Sequence, residues 1–182
     1  MSAQRKRTRA TSAPARRSAP RAARMTSPGY GFDGAKSPPG KRFPWSRAER
    51  LLKTARNYWI GTSGPGGWPH SAPVWAVWLD GVLYSSTGDQ SRKGRNIAKN
   101  PRVTVHPELD NEAVIVEGSA KRITQAAKLR PVWKAYNAKY KWDVEGYPFY
   151  ALQPRIAYSF KEDLPNTATR WLFTGARRRR RG

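Results

Sequence analysis

The stretch PHSAPVWAVWLDGVLYSST, Pro69 to Thr87, limits the fold more than any other part of the chain. Val74, Ala76 and Trp78 alternate with Pro73, Trp75, Val77 and Leu79, so a strand through them is apolar on both faces. Such a strand packs a barrel interior on one side and a partner subunit or cofactor on the other. Asp80-Gly81 follows, a strong two-residue hairpin signal, and predicts that VLYSST returns antiparallel.

The flanking segments extend this antiparallel pattern. SRAE, Ser46 to Glu49, reads as a capping box that opens a helix over about 47–56, followed by the strand NYWIGTS and the turn GPGG. Beyond the hairpin come a short helix from about Ser91 to Asn100, the strand RVTVH and the strand AVIVEGSAKRI. Leu129, Trp133, Tyr136 and Tyr140 then form a helical stripe within Thr124 to Trp142, which Pro131 is expected to kink or restart. Two last strands fall around Arg155 to Lys161 and Thr169 to Phe173. Evenly spaced short strands with a few inserted helices predict a small antiparallel barrel, mainly β, rather than a doubly wound sheet.

Composition narrows the chemistry. There is no cysteine and only His70 and His106, so a metal site is not expected. No apolar run reaches the length of a membrane span and no secretory signal is visible, which predicts a cytoplasmic protein. The net charge of +23 is concentrated at the ends: eight Lys or Arg in residues 1–24 and five in 177–181 supply more than half of it. The Ala/Ser/Pro/Arg composition of the first segment is that of a disordered basic arm. Residues 1–45 are therefore read as arm and Pro/Gly linker, 46–176 as the folded domain and 177–182 as a basic tail. Residues 1–24 and 177–181 could touch nucleic acid or an anionic surface nonspecifically, or be plain solvated extensions. Met25 offers an alternative start.

GDQSRKGRN, Gly88 to Asn96, puts Arg92, Lys93 and Arg95 at a helix N-terminus, where the macrodipole is already positive. With Ser91 as cap, free amides and two cations converge on one spot, which suits a phosphate; a solvated basic helix is the alternative. The hairpin before it ends in hydroxyls, Ser85, Ser86 and Thr87. No P-loop, dinucleotide fingerprint or nucleophile elbow is present.

PHSAPVWAVWLDGVLYSSTGDQSRKGRNIAKNPRVTVH resembles the central segment of the pyridoxamine 5'-phosphate oxidase-like split-barrel superfamily, and NTATRWLF its closing strand. The resemblance implies a six-stranded antiparallel split β-barrel of the FMN-binding type, working as a homodimer with cofactor sites between subunits. By position it implies backbone contacts to an isoalloxazine from Ala72, Pro73, Val74 and Trp75, running on to Val77. Ser85 and Ser86 would meet the ribityl or phosphate region, with Thr87 next in register, and Ser91, Arg92 and Lys93 would hold the phosphate. Trp171 would approach the ring from the second subunit or serve as barrel packing. His70 is the better histidine for a substrate contact.

Departures matter too: Ala72 stands where the vitamin B6 oxidases carry an arginine, and the Arg-Leu-His segment that grips pyridoxal phosphate is missing. Pyridoxamine phosphate is not the expected substrate. The expected activity is a flavin- or deazaflavin-dependent oxidoreductase, with FMN or the deazaflavin coenzyme F-420 acting on a small-molecule substrate. The alternatives are a non-catalytic cofactor-binding or sensing module, or nucleic-acid binding through the basic arms.

Overall fold

A computed structural model describes residues 18–23, 25, 42–162 and 167–173. The elements, in chain order, are β1 (Arg21–Ala23), α1 (Trp45–Thr54), β2 (Tyr58–Ser63), β3 (Pro69–Val74), β4 (Ala76–Leu79), β5 (Val82–Ser85), α2 (Arg92–Lys99), β6 (Arg102–Pro107), β7 (Glu112–Ile123), α3 (Ala126–Tyr140), β8 (Phe149–Lys161) and β9 (Thr169–Leu172). Every pairing is antiparallel.

The Asp80-Gly81 turn forms as expected, with both residues at positive φ, 49° and 74°, and joins β4 to β5. The long apolar strand, however, breaks at Trp75 into β3, which pairs with β2, and β4, which pairs with β5. Hydrogen-bonded neighbours then run β3-β2-β6-β7-β8-β5-β4, six strands if β3 and β4 are counted as one bent strand. The ladder does not close; its gap lies between β3 and β4. The expected six-stranded split barrel is the fold observed.

The gap is filled by side chains of α3. Ala76 N–H donates to the Tyr140 hydroxyl at 2.9 Å, and that hydroxyl lies 2.8 Å from the carbonyls of both Ala76 and Arg56. Lys139 Nζ donates to the Ala76 carbonyl at 2.9 Å and to the Tyr58 hydroxyl at 2.8 Å. Because N–H and C=O of one strand residue point to the same edge, Ala76 turns both groups away from β5 and onto α3. Trp75 stacks on Tyr140, centroids 4.7 Å apart and planes 6° from parallel.

Both faces of the broken strand are covered, as its composition requires. Val74, Ala76 and Trp78 join Tyr58, Ile60, Leu83, Val103, Val105 and Val116 in the barrel core. Val77 joins Leu129, Val132, Trp133, Tyr136 and Tyr140 in a second core beneath α3, with Trp75 and Leu79 packed against it. For Val77 and Leu79, then, the second body is the chain's own helix and not a partner or cofactor.

Four local expectations are corrected. Helix α1 starts at Trp45 with Pro44 at the N-cap and no side-chain cap. Trp45 is drawn in by contacts with Trp78, Trp171 and Phe173 at 5.3–6.1 Å, while Glu49 pairs with Lys53 and accepts from Trp78 Nε1. Helix α3 runs unbroken through Pro131, because Pro131 and Ala127, whose carbonyl loses its donor, are both exposed and water can serve instead. Strand β8 begins at Phe149, six residues before the expected start, with Pro154 at a register shift where Arg155 is the extra residue. Lastly, Arg21–Ala23, placed in the arm, pair with β9. That pairing uses backbone groups, and only Ala22 adds packing to the core.

Candidate functional site

Helix α2 is placed by the hairpin before it and by β2 beneath it. The Ser91 hydroxyl accepts from Gly94 N–H at 3.1 Å and donates to the Gly88 carbonyl at 2.7 Å, so the expected cap is present. Asn96 Nδ2 donates to Thr62 Oγ1 at 3.1 Å and Asn100 Nδ2 to Ser63 Oγ at 2.9 Å, fastening the helix to the end of β2. Gly94 lets the preceding loop fold close against the helix: a Cβ there would lie 2.5 Å from the Gly88 carbonyl oxygen and 2.7 Å from that of Asp89.

Ser91 is thus committed to the cap. What remains for an anion are the amides of Arg92 and Lys93, which have no acceptor inside the helix, and the two side chains. Arg92 is exposed and Lys93 half-buried. Arg95 turns back to donate to the Gln90 carbonyl. Thr87 Oγ1 lies 3.3 Å from Ser91 Oγ; Ser86 donates to the Pro148 carbonyl at 3.4 Å and Ser85 is buried.

The acidic member of this loop is Asp89. Arg122 donates to it through Nε and Nη2, both at 2.8 Å, and Tyr150 hydroxyl donates at 2.9 Å. The Tyr150 hydrogen bond first, and Arg122 next, hold the Asp89 carboxyl below its ordinary range. Burial, aided by Asp89, pushes the Tyr150 phenol up to about 12. Arg122 faces Tyr150 across β7–β8, and Tyr150 faces Ser85 across β5–β8, so the three strands tie the loop down from below. None of Asp89, Arg122 and Tyr150 was singled out from sequence, although Asp89 lies inside the GDQSRKGRN motif.

Strand β3 pairs only with β2, so its other edge offers unpaired backbone groups among the described residues. The side chains of Ala72 and Val74 point to the barrel core side, Val74 buried, while Pro73 is exposed. Pro69 and Pro73 cannot donate to β2, so the pairing runs through the backbone of His70, Ala72 and Val74, and the free edge carries the backbone groups of Pro69, Ser71 and Pro73. His70 is half-buried on β3 opposite Thr62, whose hydroxyl donates to the His70 carbonyl at 3.4 Å. Trp171 is buried in its own barrel core, donating Nε1 to Ser159 Oγ at 2.9 Å. Packing, one of its two expected roles, is what the single chain shows.

Beside Trp75 lies an open pocket of about 270 Å³, lined by Trp75, Ser86, Tyr136, Trp142, Val144 and Tyr147. Trp142 and Tyr147 went unremarked in sequence because they follow the α3 stripe and belong to no periodic pattern. Among the described residues, no cluster of His, Asp or Glu could hold a metal ion and no helix is long and apolar enough to cross a membrane.

Comparison with solved structures gives many matches of this fold. General Stress Protein 26 from Bacillus anthracis is 25% identical, covering 63% of this chain and 91% of its own, with TM-score 0.53. An F420 reductase is 21% identical, covering 60% and 94%, TM-score 0.50. The haem-storage protein HutZ from Vibrio cholerae is 13% identical, covering 60% and 89%, TM-score 0.53. Comparison with curated protein sequences gave no significant match. The family model described as pyridoxamine 5'-phosphate oxidase matches residues 45–167, from the first residue of α1 to just before the closing strand, and this chain belongs to that family.

Proposed function

We propose that the protein is an oxidoreductase binding FMN or the deazaflavin coenzyme F-420, its phosphate at the N-terminus of α2. Two observations carry this reading: the Arg92 and Lys93 amides with their two cations at the capped start of α2, and the unpaired edge of β3. Phosphate chemistry fits the first group, because short-range donors and full positive charge meet at one end of a capped helix. A planar heterocycle with a hydrogen-bonding edge fits the second, since this strand edge offers carbonyl acceptors and the Ser71 N–H. Pro69 and Pro73, which lack an N–H, suit such an edge.

The bound cofactor supplies hydride transfer. The residues of this chain bind and orient it: Arg92 and Lys93 anchor the phosphate, Ser86 and Thr87 line the path from it, and the backbone of Ala72 to Trp75 meets the ring. The family supports a homodimer, and the outward side of the sheet carries half-buried Trp59, Ile115, Ile156 and Tyr158 to form one. His70 stands on the ring strand as a candidate substrate contact.

The test is titration of the full chain and of Arg92→Ala/Lys93→Ala with FMN and, separately, with F-420. Loss of two charge-assisted anchors should weaken the preferred cofactor by at least about 100-fold with unchanged circular dichroism. Unchanged affinity in a folded double variant would remove the phosphate site from α2.

A further inference from the structure

The pocket beside Trp75 is an aromatic slot on a rigid frame. The loop after α3 is fixed by Lys141 N–H to the Asn137 carbonyl at 2.9 Å and by Val144 N–H to Asn137 Oδ1 at 3.1 Å. Asp143 Oδ1 accepts from Glu145 N–H at 3.0 Å and from Asn137 Nδ2 at 3.1 Å. Trp133 Nε1 donates to the Tyr147 carbonyl at 2.9 Å, and Tyr147 N–H to the Val144 carbonyl at 3.0 Å. Yet the two large side chains of this pinned loop, Trp142 and Tyr147, are 60% and 59% exposed. Ordered backbone holding large apolar groups in water marks a surface kept for a ligand.

Tyr140 covers one side of Trp75. The Arg56 guanidinium carbon is 5.7 Å from the Trp75 ring centre and 5.9 Å from that of Tyr140, flanking the stack, and Trp75 also lines the pocket. Trp142 stands nearly perpendicular to Trp75, at 75° and 6.2 Å, forming a side wall. No charged residue lines the pocket in a chain of net charge +23, and Ser86 is its one short polar side chain. Electron-rich indole and phenol faces favour an electron-poor ring over an electron-rich one. The volume is at the small end of ligand sites.

We infer that this pocket binds the substrate, an uncharged, planar, electron-poor aromatic of one or two fused rings, stacked on Trp75 and walled by Trp142 and Tyr147. The inference rests on the oxidoreductase reading for the word substrate, but the binding does not. Ser86 links the slot to the α2 loop, five residues before the helix cap, so the ligand would lie alongside the proposed cofactor.

The probe is 1,4-naphthoquinone, titrated by calorimetry into the full chain, into Trp142→Ala and into Arg92→Ala/Lys93→Ala. Saturable binding is expected, weakened about tenfold by Trp142→Ala, the worth of one aromatic wall, and unaltered by the double variant. Trp142 is exposed, so its removal leaves the core intact. No saturable binding, or equal binding by Trp142→Ala, overturns the inference. So does binding that disappears as protein concentration rises, which would show the slot buried between copies of the chain. If the double variant keeps FMN and F-420 affinity while Trp142→Ala loses the quinone, the cofactor site is wrong and the aromatic site stands.

Discussion

Removing one oxygen atom from Tyr140 should open the split in the sheet. In Tyr140→Phe the ring still stacks on Trp75, 4.7 Å away and near parallel, and no core volume is lost. The Ala76 carbonyl keeps Lys139 at 2.9 Å, and the exposed Arg56 carbonyl can turn to water. Ala76 N–H has no such recourse: the residue is wholly buried and its N–H points away from β5 toward the missing hydroxyl. A buried donor left unsatisfied costs about 1–3 kcal/mol, and roughly 2 kcal/mol is expected. With a urea m-value of about 2 kcal/mol per molar, the midpoint should fall by about 1 M at unchanged m. Pairing the change with Lys139→Met in a double-mutant cycle should show coupling, since both side chains meet at Ala76. A midpoint shift under about 0.2 M would mean that the gap is not held by this hydrogen bond, and the account of the break at Trp75 would fail.

Lys139 also makes stability depend on pH. Burial brings its amine down to about 8, so from about pH 8 upward the folded state holds fewer protons than the unfolded chain and stability rises with pH. Burial raises the Tyr58 phenol above its ordinary value of 10, which reverses the trend from about pH 10. Urea midpoints should therefore climb between pH 8 and 10, by under about 1 kcal/mol once solvent screening of a half-exposed amine is allowed for, and the climb should be absent in Lys139→Met. Gly94→Ala should cost about 1–3 kcal/mol in thermal unfolding and weaken cofactor binding, because its Cβ meets the Gly88 and Asp89 carbonyls; Gly66→Ala, with only a Trp68 carbon at 3.7 Å, is the near-neutral control.

The hairpin at Asp80-Gly81, the Ser91 cap and the Leu129 stripe were legible because each is written within a few adjacent residues. The break at Trp75 was not: the groups that cause it, Tyr140 and Lys139, are 64 and 63 residues from Ala76. Pro154 hid the first half of β8, since a proline argues against a paired strand until the bulge that tolerates it is known. The capping box failed because Trp45 had a better use in the core than Ser46 had as a cap. At the candidate site Arg92 and Lys93 were readable and the role of Asp89 was not, because its partners Arg122 and Tyr150 reach it only once β7, β8 and the loop are assembled.

The short pairing of β1 with β9 bears on the basic ends of the chain. Arg21 lies opposite Leu172 in an antiparallel register, so Pro20 and Phe173, the residues flanking this pair, lie at one corner of the sheet. Six Lys or Arg precede position 20 and five arginines follow position 176. Between those runs, residues some 150 apart in sequence are held side by side at one edge of the sheet, so the two ends of the described fold are joined by backbone pairing.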